Sequence, residues 1–441
     1  MRIFLGLGDI CGYYSQLEEG FRALGVPCVL VNAYPSRAYA RSSRPGPLGR
    51  LIEWLGERRV AAGRGSAGRL LWTAAEGFAL VFLFLATLPR HDVYIFSGGT
   101  TFLGLWDLPV LKLLRKRVIV VFHGTDSRPP FISGALAGVD GDVDVPALVR
   151  ETAAMKRRLR RIERYADLIV NHCMSSQLHE RPIVNWLNVG IPTRCEPLNA
   201  APADAAADRP CVIAHAPTRP GPKGSARIES AVRSLQARGH RIEFVKLVDR
   251  RHADVLAAIA RCDFVVDELY SDTTMASFAT EAATFARPAV VGTYGFDVLR
   301  KHTDEAVIPP ALVCHPDEVE PAIERLIVDR DTRRRLGATA RRFVEEHWRA
   351  DRVAARFLRL LEGRAPREWW FDPREVLYLH GWGLTDRRAR EVVGAIIERA
   401  GVAALQLDDK PQLEQAFVEF ARQAAPEADE ACRAAPTAQG R

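Results

Sequence analysis

The chain has 441 residues, a length that predicts two or three domains. Hydrophobic residues make up 48% of it and charged residues 26%, a composition typical of soluble globular proteins that excludes disorder or a coiled coil for the chain as a whole. The formal net charge of +7 is small for this length and does not by itself indicate a nucleic-acid partner.

The first part of the chain alternates short apolar segments with amphipathic helices, the first of them at about 16–24. The apolar segments are rich in β-branched residues and predict strands. They lie at 2–7, 28–31, 92–96, 117–122 and 167–170. Strand–helix alternation is typical of a parallel sheet covered by helices on both faces, and we predict such a Rossmann-like domain over 1–194.

A segment rich in Ala, Pro and Asp at 195–210 lacks apolar periodicity and predicts a linker. The alternation then restarts over 211–345 and predicts a second Rossmann-like domain. Its strands are expected at 211–214, 242–247, 264–266 and 289–291, and its helices at 225–239, 253–261 and 278–285. The predicted fold class is therefore α/β, with two doubly wound domains that face a cleft where strand carboxyl ends meet.

The remainder of the chain predicts three further parts. We expect a crossover helix at 346–364, a small α/β appendage at 365–425 and a disordered tail at 426–441. Within the appendage, strands are predicted at 376–379 and 402–407, and helices at 387–399 and 412–422. The sequence assigns no role to this appendage, for which structural capping and partner recruitment remain alternatives.

The polar segment FHGTDSR (122–128) directly follows a predicted strand of the first domain. This position brings His123 and Asp126 to the edge of the sheet that faces the cleft. The imidazole of His123 is able to donate a hydrogen bond to a sugar hydroxyl or to stabilise charge, although a single histidine is often structural. We predict a functional role for this loop.

The segment HAPTRPGPKGS (215–225) lies between the first strand and the first helix of the second domain. A Pro/Gly loop there carries Arg219 and Lys223 beside the positive end of a helix, an arrangement that suits a diphosphate. Lys223 is also placed to neutralise charge on a departing nucleotide. The alternative is a surface loop with solvated cations.

The segment that begins at Asp267 runs from a strand into a helix that carries Glu281. A carboxylate at this position is able to accept hydrogen bonds from both hydroxyls of a ribose, as acidic residues do in other nucleotide sites. The alternative is a solvated glutamate on a helix surface, because the spacing alone does not distinguish the two.

The two segments of the second domain resemble the donor half of GT-B glycosyltransferases, above all the large retaining family 4 of bacteria. The likeness rests on Glu-Ala followed by Pro-x-Val-Val from 281 onward and on the Lys-Gly-Ser junction at 223–225. Segment 107–128 resembles the HGsDvR segment of some members, and segment 317–348 resembles their C-terminal helices. The resemblance covers roughly 1–362.

The resemblance implies specific roles for individual residues. Lys223 matches the lysine that grips the donor diphosphate, with Arg219 as its partner, and Glu281 matches the acid that binds ribose. His123 matches the histidine of the acceptor domain beside the donor sugar. The implied donor-binding set is Arg219, Lys223, Gly224, Thr273, Thr274 and Glu281, with Gly12 and Asp126 on the acceptor side.

One position departs from the family pattern. Thr273 stands where the first acid of the glutamate pair is expected, and Thr-Thr-Met-Ala replaces the usual Gly-Phe-Gly. Backbone N–H groups of Thr273 and Thr274 remain able to hold sugar hydroxyls, but the departure leaves the activity itself open.

The resemblance implies a glycosyltransferase that moves a sugar from a nucleotide donor to a glycan or lipid-linked acceptor in cell-surface polysaccharide synthesis, with retention of configuration. We expect no metal ion and no cofactor, because the metal-binding D-x-D sequence is absent where a metal-dependent transferase needs it, and cations and helix dipoles are able to neutralise the leaving group. Two alternatives remain: a sugar-nucleotide epimerase on the same fold and a non-catalytic glycan-binding or scaffold protein.

Two basic stretches bear on partners. Segment 37–69 carries eight arginines against two glutamates around an apolar Leu-Ile-Glu-Trp-Leu core, which suits either a helix on an anionic membrane surface or a solvated loop. Segment 156–164 predicts a solvated helix face, and the chain lacks a known nucleic-acid-binding module. We therefore predict no nucleic-acid partner.

The expected location is the cytoplasm, with peripheral binding to the inner face of the membrane as an option. The eight cysteines are scattered and form no C-x-x-C pair, as in proteins of a reducing compartment. The longest apolar run, 77–89, is shorter than the roughly 20 residues of a membrane span, and the first residues lack a secretory pattern.

Overall fold

The structure, a computed structural model, describes residues 1–33, 46–63, 65–195 and 209–423. The predicted linker at 195–210 lies almost wholly outside the described residues, and the predicted tail at 426–441 lies entirely outside them.

Two parallel sheets organise the described part of the chain. Its strands are β1 (Ile3–Leu7), β2 (Cys28–Asn32), β3 (Val93–Ser97), β4 (Arg117–Val121), β5 (Leu168–Asn171), β6 (Ile183–Asn185), β7 (Cys211–His215), β8 (Ile242–Lys246), β9 (Phe264–Val266), β10 (Ala289–Gly292), β11 (Leu312–Cys314) and β12 (Trp370–Phe371). The first sheet has the order β12-β6-β5-β4-β3-β1-β2 and the second β11-β10-β9-β7-β8. The pairs are parallel, except that β12 runs antiparallel to β6.

Helices connect the strands and cover the sheets. They are α1 (Tyr13–Ala23), α2 (Pro47–Ala61), α3 (Ala67–Thr87), α4 (Leu108–Leu113), α5 (Gly134–Ala137), α6 (Val145–Tyr165), α7 (Trp186–Val189), α8 (Ser225–Ala237), α9 (His252–Arg261), α10 (Ser277–Thr284), α11 (Phe296–His302), α12 (Val319–Val328), α13 (Arg330–Phe343), α14 (Ala350–Leu361), α15 (Asp386–Ala400) and α16 (Pro411–Arg422). Short 3-10 turns lie between several of these elements.

The central strands of the first sheet have no solvent-facing side. Every residue of β1 and of β3 is buried, which requires helices on both faces of the sheet. Right-handed crossovers in this strand order place α1 on one face and α3, α4 and α6 on the other. In agreement, α1 packs against α14, and α4 packs against α6.

The predicted fold class is confirmed. Both sheets are doubly wound, and the predicted strands of the two domains form within a few residues of their expected bounds. The domain boundaries stay predictions, although α14 crosses back onto α1, where Gly20 leaves no room for a Cβ beside the backbone of Ala350. Strands β6, β11 and β12 were not predicted, because they are only two or three residues long.

The two strands predicted inside the appendage are wrong. Residues 376–379 have no regular structure, and Val402–Leu405 is a 3-10 turn flanked by left-handed backbone at Gly401 and Gln406, which a strand does not tolerate. The apolar side chains of Val376 and Tyr378 are buried without strand pairing. The appendage therefore consists of α15 and α16, and it donates β12 to the first sheet.

Helix α3 corrects the expectation drawn from the apolar run at 77–89. The helix has 21 residues, and among the described residues it is the one helix long and apolar enough to cross a membrane by length and composition alone. Counting consecutive apolar residues missed the first half of α3, because Glu76 interrupts the apolar run. That carboxylate is buried and paired with Arg59 of α2.

Candidate active site between the domains

A cavity of about 470 Å³ separates the two domains. The first domain lines it with the loops that follow β1, β4 and β5, and the second domain with the loops that follow β7, β8 and β9. These loops all leave the carboxyl ends of parallel strands, where doubly wound folds bind their ligands. A cavity of this size accommodates a small-molecule ligand.

Five of the predicted residues line this cavity together, although they come from both domains. They are His123, Arg219, Lys223, Thr273 and Glu281. The other predicted residues shape the loops instead of lining the cavity. Gly12 begins α1 with left-handed backbone, and Thr274 donates a hydrogen bond from Oγ1 to the carbonyl oxygen of Pro309 at 3.0 Å.

Lys223 is held by two buried carboxylates. Its Nζ lies 2.8 Å from Oδ1 of Asp267 and 3.6 Å from Oε2 of Glu268. Burial by itself disfavours the ammonium, but these two carboxylates raise the pKa of Lys223 well above its usual value. The lysine is therefore a permanent cation at the cavity wall.

The backbone beside Lys223 is fixed by a glycine. Gly224 begins α8 with φ of 73°, and a Cβ there would lie 2.9 Å from Cβ of Leu269. The backbone N–H of Leu269 donates to the carbonyl oxygen of Lys223 at 3.2 Å. Gly224 thus acts by allowing the lysine loop to pack against the strand end that carries Asp267.

The two carboxylates differ in their surroundings. Burial is the main cause that raises the pKa of Glu268, and the neighbouring charges of Asp267 and Asp272 add to it against the opposing effect of Lys223. Oε1 of Glu268 accepts a hydrogen bond from Ser271 at 2.7 Å. The hydrogen bond from Ser271 and the ion pair with Lys223 hold the Glu268 side chain beside the lysine.

Two further cations stand at the mouth of the cavity. Arg219 and Arg250 are exposed, both line the cavity, and neither side chain forms an ion pair or hydrogen bond with another described residue. Sequence analysis missed Arg250, although its place just after β8 followed the same strand-end pattern as the others. Together with Lys223, these arginines form a cationic wall suited to phosphate groups.

Glu281 has a partner that the sequence analysis missed. Its Oε1 lies 2.7 Å from Nε2 of His252, which begins α9 and also lines the cavity. The hydrogen bond with Glu281 raises the pKa of His252. The pair fixes the orientation of the carboxylate, and the second carboxylate oxygen is left for a ligand.

We expect this pair to make stability depend on pH. A histidine pKa raised in the folded state contributes stability that is fully present below the unfolded value of about 6.5 and is lost as the pH rises through the folded value. The variant Glu281→Gln should therefore melt at a lower temperature than wild type, and this difference should be larger at a pH of about 6 than in alkaline buffer. The control variant Glu305→Gln, which removes an exposed partner of Arg300, should show no such trend, and an equal loss at both pH values would contradict the assignment.

His123 is a neutral imidazole packed between tyrosines. Its Nε2 lies 3.1 Å from the hydroxyl of Tyr14, and its ring contacts Tyr13 edge-on at 4.9 Å between ring centroids. Burial lowers the pKa of His123, so the ring is uncharged at neutral pH. Asp126, predicted on the acceptor side, accepts a hydrogen bond from the backbone N–H of His123 at 2.9 Å and so positions this loop.

Three polar atoms of the cavity wall are buried without a partner among the described residues. They are Nε2 of His172, Nε1 of Trp186 and Oγ1 of Thr273. Nδ1 of His172 accepts from the backbone N–H of Met174 at 3.2 Å, and burial lowers the pKa of His172 to about 4, so its proton resides on Nε2. Buried polar atoms are normally paired, so these three make this part of the wall unusually polar for its burial.

The domains are joined at the cavity by a buried ion pair. Arg128 of the first domain pairs with Asp272 of the second, and Nε of Arg128 lies 3.1 Å from Oδ2 of Asp272. The ring of Trp382, from the C-terminal segment, lies 5.8 Å from the guanidinium. Sequence analysis assigned no role to any of the three.

The C-terminal segment also bridges the domains through its backbone. The N–H of Trp382 donates to Ile132 of the first domain at 3.0 Å, and the N–H of Gly383 donates to Tyr270 of the second domain at 2.8 Å. Trp382 itself lines the cavity. The appendage is thus part of the cavity wall and holds both domains beside it.

The side chains that could ligate a metal ion are dispersed in the described part of the chain. Across the ranges that the structure describes, no group of three or more His, Cys, Asp or Glu side chains is arranged to hold a metal ion. The expectation of a metal-independent site stays a prediction.

Comparison with known proteins gave matches among solved structures alone. No protein-family model matches the chain, and no curated protein matches it. HepE from Anabaena, in complex with UDP and glucose, is 11% identical, covers 82% of this chain and 99% of its own, and has a TM-score of 0.46. Sucrose-phosphate synthase from Thermosynechococcus elongatus is 14% identical over 82% of this chain and 98% of its own, with a TM-score of 0.48. TarM from S. aureus, in complex with UDP and glycan ligands, is 8% identical, covers 81% of this chain and 99% of its own, and has a TM-score of 0.47.

Proposed function

We propose that the protein is a glycosyltransferase that uses a nucleotide-sugar donor bound between its two domains. The observation that carries this proposal is the meeting of Lys223, Arg219 and Glu281 of the second domain with His123 of the first around one cavity. These residues lie far apart in the sequence. Chance is therefore a poor explanation for the meeting of cations, a carboxylate and an imidazole around one cavity.

The donor fits this wall in one direction. Its diphosphate lies against Lys223, Arg219 and Arg250, and its ribose hydroxyls donate to the free oxygen of Glu281. The sugar then faces the part of the wall formed by His172, Trp186 and Thr273.

The chemistry follows from the charges. Breaking the bond between sugar and diphosphate places negative charge on the departing nucleotide, and fixed cations stabilise that charge in a site sheltered from water. Because side-chain cations supply this neutralisation, the proposal needs neither a metal ion nor a cofactor. His123, uncharged, donates to or accepts from the sugar and the incoming hydroxyl, while the two domains keep both substrates aligned.

The acceptor is proposed to be a glycan or a lipid-linked glycan of a cell-surface polysaccharide, with retention of configuration and a cytoplasmic site of action. Segment 37–69 was expected to be either a helix on an anionic membrane surface or a solvated loop. Residues 37–45 and 64 lie outside the described residues, and in the rest of the segment Ile52 and Leu55 are buried while Leu51 and Trp54 are exposed. Only half of its apolar core is therefore available to a membrane.

A donor-hydrolysis and transfer assay tests the proposal. The protein is incubated with a panel of nucleotide sugars, with and without glycan acceptors, and the released nucleoside diphosphate is measured. We expect release from one donor type, and we expect Glu281→Ala to raise the KM for that donor by about tenfold, as for the loss of hydrogen bonds to a bound ligand. Conversion of the sugar without release would indicate an epimerase, and no turnover and no binding of any donor would indicate a scaffold protein.

A further inference from the structure

Helix α3 carries an apolar stripe on its outer face. Leu70, Leu71, Phe78, Phe82 and Leu85 are each more than half exposed, and their spacing of three, four or seven residues aligns most of them along one side. Phe78 and Phe82 alone expose 69% and 65% of their surface. Soluble monomers rarely leave so large a contiguous apolar patch in water, so the stripe calls for a partner.

Other elements of the first domain also expose large apolar side chains. Phe84 at the inner side of α3 contacts Phe102, in the loop that leads to Trp106 and α4. Trp106 is 70% exposed and Leu113, at the end of α4, is 81% exposed. Exposed apolar side chains therefore lie on α3, on the loop before α4 and on α4 itself.

Arginines of α6 border this surface. The guanidinium of Arg161 lies 4.0 Å from the ring centroid of Trp106, so the apolar and basic surfaces are in direct contact. A shallow depression of about 480 Å³ beside it is lined by Arg157, Arg158, Arg160, Arg161, Arg164 and Tyr165. Arg160 pairs with Glu180, whereas Arg157 and Arg164 form no ion pair with any described residue.

We propose that the outer face of α3 and α4, with the arginines of α6, docks on an anionic lipid bilayer. Exposed Phe, Leu and Trp side chains enter the headgroup region while adjacent cations bind lipid phosphates. The arginines favour a partner of opposite charge, such as anionic lipid headgroups, over a second copy of the chain, whose same face is also basic. This inference goes beyond the cleft chemistry and does not depend on it.

The geometry favours docking over spanning. The inner side of α3, including Ala79, Leu80, Leu83 and Phe84, is buried in the domain core. Glu76 of the same helix is buried and paired with Arg59. Insertion of the whole helix across a bilayer would strip this core and bury an ion pair in lipid, whereas surface docking leaves the fold intact.

Vesicle co-sedimentation of the full chain tests the proposal. Vesicles of phosphatidylcholine, with and without phosphatidylglycerol, are compared for wild type and three variants. Phe78→Glu with Phe82→Glu removes the apolar contact, and Arg157→Glu with Arg164→Glu reverses the free cations. Val328→Glu alters a side chain of the second domain that is equally exposed, at 66%, and serves as the matched control.

Each variant has a distinct expected result. We expect partitioning of the phenylalanine variant to either vesicle type to fall at least about 100-fold, because two aromatic side chains no longer transfer from water into the bilayer. The arginine variant should lose about tenfold or more on phosphatidylglycerol vesicles alone, and salt should reproduce that loss. The control should bind like wild type.

Melting temperature and oligomeric state complete the test. All variants change exposed positions, so unchanged melting temperatures are expected and show that the losses are not unfolding. Wild-type-like binding by the phenylalanine variant would overturn the proposal. The proposal would also be overturned if wild type bound neither vesicle type and formed a dimer that the phenylalanine variant dissociates. Sugar transfer to a soluble acceptor, measured in parallel, separates failure here from failure of the proposed function.

Discussion

Replacing Lys223 by alanine is expected to lower the rate of donor turnover by about 100-fold to 1,000-fold, the usual effect of losing one preorganised group that stabilises transition-state charge. Lys223 is the buried cation of the phosphate wall, and the carboxylates of Asp267 and Glu268 keep it charged. The measurement is the initial rate of nucleoside diphosphate release from the donor identified in the assay above.

The same variant leaves Asp267 buried without its cation, so lost stability must be separated from lost chemistry. The double variant Arg219→Ala with Arg250→Ala does this, because both arginines are exposed and have no partner among the described residues. It should raise the KM for the donor at least about tenfold and leave the melting temperature unchanged.

The matched control is Lys246→Ala. This lysine of β8 pairs with Glu229 and lies outside the cavity lining. Wild-type turnover is expected for it. Wild-type turnover in folded Lys223→Ala, or in the double arginine variant, would remove the phosphate wall from the proposal.

Replacing Arg128 by methionine is expected to cost about 3–5 kcal/mol of stability, the usual penalty for breaking a buried ion pair from one side. The side chains of Arg128 and Asp272 are only 5% and 8% exposed, so the variant would leave the Asp272 carboxylate largely buried without its cation. Urea unfolding followed by fluorescence measures the loss.

A double variant and a surface pair sharpen this test. Arg128→Met together with Asp272→Leu removes both charges and should recover much of the lost stability. Arg349→Met breaks a pair with Asp351 that is 49% and 26% exposed, and should cost less than about 1 kcal/mol. Equal unfolding midpoints for Arg128→Met and wild type would show that the pair does not hold the domains together.

Strands were predicted best where both faces are buried. Segments such as Val93–Ser97 are continuous apolar runs because helices cover both sides of the sheet, and this signal is local. The error at 376–379 arose from the same signal, since buried apolar residues outside a sheet give the same pattern. The strand Trp370–Phe371 pairs with Ile183–Asn185 across a long stretch of chain, which no local pattern encodes.

The site residues show the same contrast between local sequence signals and contacts that form only in the folded protein. His123 and Lys223 were found because they lie in loops that follow β4 and β7, where topology alone places ligand-binding residues, and Glu281 because it lies on the helix that follows β9. The partners Arg128 and Asp272 are 144 residues apart, and their ion pair exists only once the domains meet. His172 follows a predicted strand as His123 does, but its unpartnered Nε2 is a feature of packing that sequence does not show.

Titration calorimetry with nucleoside diphosphates tests the central claim most directly. One nucleoside diphosphate should bind wild type and Val328→Glu with the same Kd, and the double variant Arg219→Ala with Arg250→Ala should bind it at least about tenfold more weakly. Undiminished binding by the double variant, or no binding of any nucleoside diphosphate to folded wild type, would contradict a nucleotide-sugar site between the domains.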